Sequence, residues 1–166
     1  KAVVNAKFAW NKALSVIDAE GTDAQKQIFY TGLYRNFIQP NNLANADGTY
    51  SGTDFTTHKA NDGTHYSTFS LWDTYRATHP LYTLTAPKKD VAFINSMLRQ
   101  YETYGYLPIW QLWGDENYCM IGNHAIPVIA DAMQKGIKGF DYEEAYKACV
   151  GSSTTDHPGA PFSVWN

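Results

Sequence analysis

The chain has 166 residues, 17% of them charged and 15% aromatic, with a formal net charge of -3. That length suits one domain able to bury a core, and its charged fraction is low beside the about 25% of an ordinary domain. With no Lys/Arg cluster, nucleic acid and anionic membrane are poor partners. No apolar run approaches the roughly 20 residues that span a bilayer.

The first residues lack a signal-peptide pattern and begin in what already reads as a helix, so any signal has been cut away or the chain starts mid-protein. Residues 2–19 carry Val3, Ala6, Trp10, Ala13, Leu14 and Ile17 on one stripe of a 3.6 period, and Gly21 ends that helix. Thr22 with Gln25 forms a capping-box pattern for a second helix that runs to about Gln39, with Ile28, Phe29, Leu33 and Phe37 inward and Pro40 as its stop. Pro40 to about Phe69 is a polar excursion holding two Asp-Gly steps, Asp47-Gly48 and Asp62-Gly63, which are hairpin turn signals. A long excursion of this kind in a compact domain is more often functional than idle.

Helices resume after it. Ser70 and Asp73 cap a third, running to about Leu84 with a break near Pro80. Pro87 opens a fourth, with Val91, Ile94, Leu98 and Tyr101 inward and Gly105 as stop. A fifth begins near Asn123, tolerates Pro127, lines up Ala125, Val128, Ile129 and Ala132, and closes at Gly136. Asp141 with Glu144 opens a sixth that ends near Gly151, and Ser152 to Asn166 reads as loop. No repeat and no internal domain boundary is visible. Six helices joined alternately by short turns and long excursions read as stacked αα-hairpins, an all-α fold.

Between the fourth and fifth helices lies the most informative segment, from Leu107 to His124. It sets Asp115 and Glu116 beside Trp110 and Trp113, with Asn123 and His124 following. Acid groups beside aromatic surface suit carbohydrate cleavage: a ring binds the apolar side of a sugar, and a carboxyl in a partly dry setting delivers a proton to the leaving oxygen. Glu116 is the candidate general acid; the structural alternative is a carboxylate that caps a helix or pairs with a lysine. Asp115 reads as its neighbour rather than its partner.

A second constellation spans Tyr66 to Arg76. Trp72, Asp73 and Arg76 fall within about one helical turn, and Asp73 can pair with Arg76 at i, i+3. Trp72 then stacks on a sugar ring while Asp73 and Arg76 grip hydroxyls, or Asp73 is a first-turn acid and Trp72 is core. The residue pattern alone favours the second reading. His124 reads more readily as a satisfied structural histidine, Asp131 as a buried acid in a packing network, and Tyr104 and Tyr118 as packing or rim residues. Cys119 and Cys149 are read as small buried thiols, with a disulfide as the alternative.

Several sharper motifs are absent: H-E-x-x-H, a phosphate loop and G-x-S-x-G do not occur. The Asp-Gly stretches fail the EF-hand pattern, with Leu43 and His58 at first ligand positions and Ala60 at another. No Cys or His spacing suits zinc.

Phe29-Tyr30-Thr31-Gly32-Leu33-Tyr34, Ser70 to Arg76 with Pro80-Leu81-Tyr82, Leu107-Pro108 through Trp110, Glu116 with Met120 to His124, and Asp131-Ala132 with Lys135-Gly136-Ile137 closely resemble glycoside hydrolase family 92. The similarity runs over nearly the whole chain in the same order. It implies an exo-acting, inverting, calcium-dependent α-mannosidase, mostly α-1,2-specific, built from an N-terminal β-sandwich and an (α/α)6 toroid. The 166 residues then form a partial catalytic domain, about half of the toroid, exposing apolar helix faces that its missing partner covers.

Carried over by position, Glu116 is the general acid and Trp72, Asp73 and Arg76 fall near the site; these three, with Trp113 and His124, are the substrate-binding candidates. The general base belongs to a Gly-Asn-Asp-Asp-type motif that these residues lack. The resemblance also implies calcium bound mostly by residues outside the chain, an α-mannoside glycan as substrate, the remainder of the same enzyme as partner, and a periplasmic or cell-surface location. The alternatives are another (α/α)6 glycosidase or lyase, and a non-catalytic carbohydrate-binding or helical interaction domain.

Overall fold

A computed structural model describes residues 1–155, which form two compact units, one of Lys1–Gln39 and one from Pro40 onward. Part of the expected loop from Ser152 to Asn166 therefore lies outside the described residues.

The first unit is a helical hairpin. Helix α1 (Ala2–Leu14) stops well short of Gly21, and α2 (Asp23–Asn36) ends before Pro40. The expected capping box is present: the Gln25 N–H donates to the Thr22 hydroxyl at 3.3 Å, and the Thr22 N–H donates to the Gln25 side chain at 2.9 Å. Trp10 meets Tyr34 with ring centroids 4.5 Å apart. Within this hairpin, however, the expected inward stripe is not buried. No α1 residue is buried, Leu33 alone is buried in α2, and Ile28 stands 74% exposed.

The polar excursion holds short strands. β1 (Asn41–Asn42) pairs antiparallel with β4 (Tyr66–Ser67), and β2 (Thr49–Ser51) with β3 (Thr57–Lys59). The Asp-Gly steps do make turns, yet neither closes the β2–β3 hairpin. Asp47 accepts from the Thr49 N–H at 3.0 Å and Asp62 from the Thr64 N–H at 3.1 Å, so each carboxylate is satisfied two residues on. The hairpin turns instead at Gly52–Phe55, where the Phe55 N–H donates to the Gly52 carbonyl at 3.0 Å. Arg99 anchors the excursion by donating to the Thr64 carbonyl at 2.6 Å, and Tyr50 stacks on His65 with centroids 3.7 Å apart.

The expected third helix is two: α3 (Leu71–Thr74) and α4 (Thr78–Thr85). The break falls at 75–77, before Pro80, which sits in the first turn of α4 where its missing N–H costs nothing. Helix α5 (Pro87–Tyr104) starts on Pro87 and stops at Gly105, whose φ of 78° is left-handed. Helix α6 (Ala125–Gln134) buries Ala125, Val128, Ile129 and Ala132, as their spacing predicts. Helix α7 (Tyr142–Thr154) is capped by Asp141, which accepts from the Glu143 and Glu144 N–H groups, and runs past Gly151. Helix α4 packs against α5 and α6, and α7 against the same two. Between them lie Tyr82, Phe93, Ile94, Met97, Ile129, Ala145 and Ala148.

Helices dominate the described residues, so the all-α expectation holds. No described helix is long and apolar enough to cross a membrane.

Candidate active site

The expected functional segment folds as a small sheet in the order β5-β6-β7, with β5 Phe69–Ser70, β6 Trp110–Leu112 and β7 Asp115–Glu116. Phe69 pairs with Gln111 and Gln111 with Glu116, so the strand that leads into α3 and the strand that carries the acid belong to one sheet. Both constellations read from the sequence are thereby attached to one scaffold.

The turn from β6 to β7 is two residues, Trp113 and Gly114, with Leu112 facing Asp115. Their φ values of 52° and 91° are both positive, as the twist of a two-residue hairpin requires. Glycine meets that demand freely, and its N–H donates to the Ser67 hydroxyl at 2.8 Å. Tryptophan does not: a bulky residue there costs about 1–3 kcal/mol. Trp113 is nevertheless 76% exposed, so no packing of its indole among the described residues offsets that cost. Tyr118 and Met120 are also left-handed, at φ 54° and 71°. Three strained non-glycine residues therefore lie within eight positions around Glu116.

Glu116 is 6% exposed, and its carboxylate clasps the hairpin. Oε2 accepts from the Ile109 N–H at 2.8 Å and from the Gln100 side-chain amide at 3.4 Å. Oε1 accepts from the Trp110 and Tyr118 N–H groups, both at 2.9 Å. Two donors thus converge on each oxygen. Among the described residues neither a lysine nor an arginine forms an ion pair with it. Asp115 is exposed and accepts the Glu116 N–H at 2.9 Å, a neighbour's contact. Around the clasp, the Tyr104 and Tyr118 hydroxyls meet at 2.7 Å. Burial and then the Tyr104 hydroxyl hold the Tyr118 phenol well above its usual range. Burial, followed by the charge of Glu116, pushes Tyr106 up to about 12.

The second constellation assembles differently from the expected Asp73–Arg76 pair. Asp73 accepts the Ser70 hydroxyl, while Arg76 donates to the Trp72 carbonyl at 2.9 Å. The guanidinium lies 4.7 Å from the Trp72 ring centre and 5.1 Å from that of Tyr75. Tyr75 in turn meets the His124 ring at 4.3 Å. Trp72, Arg76, Tyr75 and His124 form one string of stacked rings and cation. Partial burial, and next the Arg76 charge, lower the His124 pKa. Gly122, at φ 82°, lets that ring sit close: a Cβ there would stand 2.5 Å from His124 Cε1.

Asp131 is not a buried acid but a half-exposed partner of Lys135 at 2.6 Å. The cysteines are free and neither is fully buried, Cys119 being exposed; the polar Asn117-Tyr118 turn ahead of it, where the Asn117 side chain accepts the Cys119 N–H at 2.8 Å, keeps it at the surface. Gln100, Gln111 and Ser67 support the site and were not singled out by sequence. Gln100 and Ser67 are polar residues in an otherwise ordinary helix and strand, where only the partner across the fold reveals their purpose, and Gln111 serves through its pairing with Phe69 and Glu116. Among the described residues, no three His, Cys, Asp or Glu side chains converge on one point where a metal ion could be held.

Residues 1–163 match the Glycosyl hydrolase family 92 catalytic domain. The chain is similar to the family GH92 α-mannosidase BT3965 from Bacteroides thetaiotaomicron, with 38% identity over 93% of this chain and a TM-score of 0.90; that protein has also been solved with mannoimidazole. It is similar as well to the family GH92 inverting mannosidase BT2199 of the same organism, at 32% identity, 93% coverage and a TM-score of 0.86. The chain spans 21% of the length of each of those relatives. No curated protein matches it. The matched family model and the shared fold lead to one conclusion: the chain belongs to the glycosyl hydrolase family 92 catalytic domains.

Proposed function

We propose that these residues supply the general-acid part of an exo-acting, inverting α-mannosidase that removes terminal mannose from glycans. The observation that carries this reading is the likeness to α-mannosidases at 38% and 32% identity over 93% of the chain. Glu116 delivers the proton to the leaving oxygen, and Trp72, Asp73, Arg76, Trp113 and His124 contact the sugars. Inversion needs a second carboxylate roughly 6.5–9.5 Å from the acid to activate water. In this reading that base, the calcium ligands and the rest of the pocket come from other parts of a longer polypeptide. The same reading takes α-1,2-linked mannosides as substrate and the periplasm or cell surface as location.

A second reading is favoured by the clasp itself. With two donors on each oxygen, Glu116 has every lone pair engaged and could serve only to hold the hairpin. The two readings separate by leaving group. In the full-length enzyme, Glu116→Gln loses at least about a hundredfold in kcat on an α-mannobioside, within the roughly 10²–10⁴ of acid catalysis, but far less on α-mannosyl fluoride, whose fluoride departs without a proton. Equal losses on both substrates would assign Glu116 to structure and leave the acid to be found elsewhere.

A further inference from the structure

Two aromatic side chains stand out at the tips of the two hairpins. Phe55, in the β2–β3 turn, is 77% exposed at φ 60°, and Trp113, in the β6–β7 turn, is 76% exposed at φ 52°. Both sit in left-handed backbone that a bulky residue adopts at a cost of about 1–3 kcal/mol. The tips are neighbours, because a Cβ on Gly114 would stand 3.3 Å from the Ser51 carbonyl oxygen at the end of β2.

Neither tip is loose. Asp54 accepts from the Thr56 N–H at 3.0 Å and its hydroxyl at 2.8 Å, and both Asp54 oxygens lie 2.9 Å from His58 Nε2. Thr53 reaches the Thr103 hydroxyl on α5 at 3.1 Å. The other tip is held by the Glu116 clasp and by the Gly114 bond to Ser67. Each hairpin therefore presents an outward ring from a fixed base, the preorganised state that lowers the cost of binding.

We propose that Phe55 and Trp113 form a paired aromatic platform for the leaving-group sugars of an oligomannoside, resting on the mannosidase reading above. The general acid touches the glycosidic oxygen, so a surface carried on the acid's own hairpin, three residues from Glu116, faces the sugar that departs. In the chain Phe55 is flanked by exposed Asp54 and Thr56, and exposed Asp115 lies two residues from Trp113. Such a fringe accepts and donates hydroxyl hydrogen bonds around an apolar face, matching a pyranose with its C–H face and rim of hydroxyls.

The test uses the full-length enzyme and the ratio of kcat/KM on mannotriose to that on α-mannosyl fluoride, which has no second ring. Trp113→Ala and Phe55→Ala each lower this ratio about fivefold to tenfold, and Trp113→Tyr restores most of it. An unchanged ratio overturns the platform. So does a matching fall on both substrates accompanied by a lower Tm, which would mean that the rings pack against another part of the polypeptide. If the wild type cleaves neither substrate, the hydrolase reading fails, and calorimetry then judges the platform alone. Mannotriose binding that weakens in Trp113→Ala upholds it; equal or absent binding in both proteins overturns it.

Discussion

Replacing Glu116 by glutamine is less gentle than the change of one atom implies. Each carboxylate oxygen receives two N–H groups, from Ile109 and Gln100 on one and from Trp110 and Tyr118 on the other. An amide nitrogen placed at either position points its own hydrogens at donors, leaving main-chain N–H groups unpaired at about 1–3 kcal/mol. Glu116→Gln is therefore expected to unfold at a measurably lower denaturant concentration than wild type, and an unchanged midpoint would show that the clasp re-forms in another way. The sequence pointed to Glu116 through its aromatic setting and through family resemblance. It did not reveal the clasp, because three of its four donors are backbone groups that no side-chain pattern records.

Helix boundaries were legible wherever a side chain makes them. The Thr22/Gln25 box, the Asp141 cap and the left-handed Gly105 all lie where their local chemistry puts them. Strand pairing was not legible, for the opposite reason. The two Asp-Gly steps close their own short turns through Asp47 and Asp62, whereas the hairpins turn on Phe55 and Trp113, residues that local propensity places nowhere near a left-handed backbone. Between α5 and α7 a further element-level effect appears. Glu144 is raised from 4.5 to about 7, first by burial and then by the hydrogen bond and charge of Glu102, with the charge of Asp141 added. A carboxyl raised in the folded state binds its proton more tightly there than in the unfolded chain. Its contribution is fully present below pH 4.5 and is lost as the pH climbs through about 7. Thermal unfolding across that window should show Tm falling with pH, and Glu144→Gln should flatten the slope. An identical slope in the variant would place the effect on another group.

On the scale of the whole molecule, the first unit carries apolar side chains that its own two helices leave exposed. Val3 and Val4 are each 68% exposed, Phe8 71% and Ile28 74%. Periodicity placed Val3 and Ile28 on inward faces that the structure leaves exposed, and it did not mark Val4 or Phe8, since a 3.6 period reports only that one face is apolar. A chain spanning 21% of its relatives' length leaves room for the cover to come from elsewhere. Exposed apolar surface of this kind drives association. Expressed alone, the 166 residues are expected to self-associate, and Val4→Lys with Phe8→Lys to shift them toward monomer in light scattering. A wild-type chain that is already monomeric at the same concentration would refute this.

The Glu116 clasp has a consequence for sequence tolerance. Three of its four bonds end on main-chain N–H groups, so the clasp itself does not read the side chains at 109, 110 and 118, although proline, which has no N–H, would break it at any of them. The hairpin is then an exchangeable cassette. In the proposed reading, its tip at position 113 can change while Glu116 stays in register, so that substrate choice would vary without rebuilding the proposed acid.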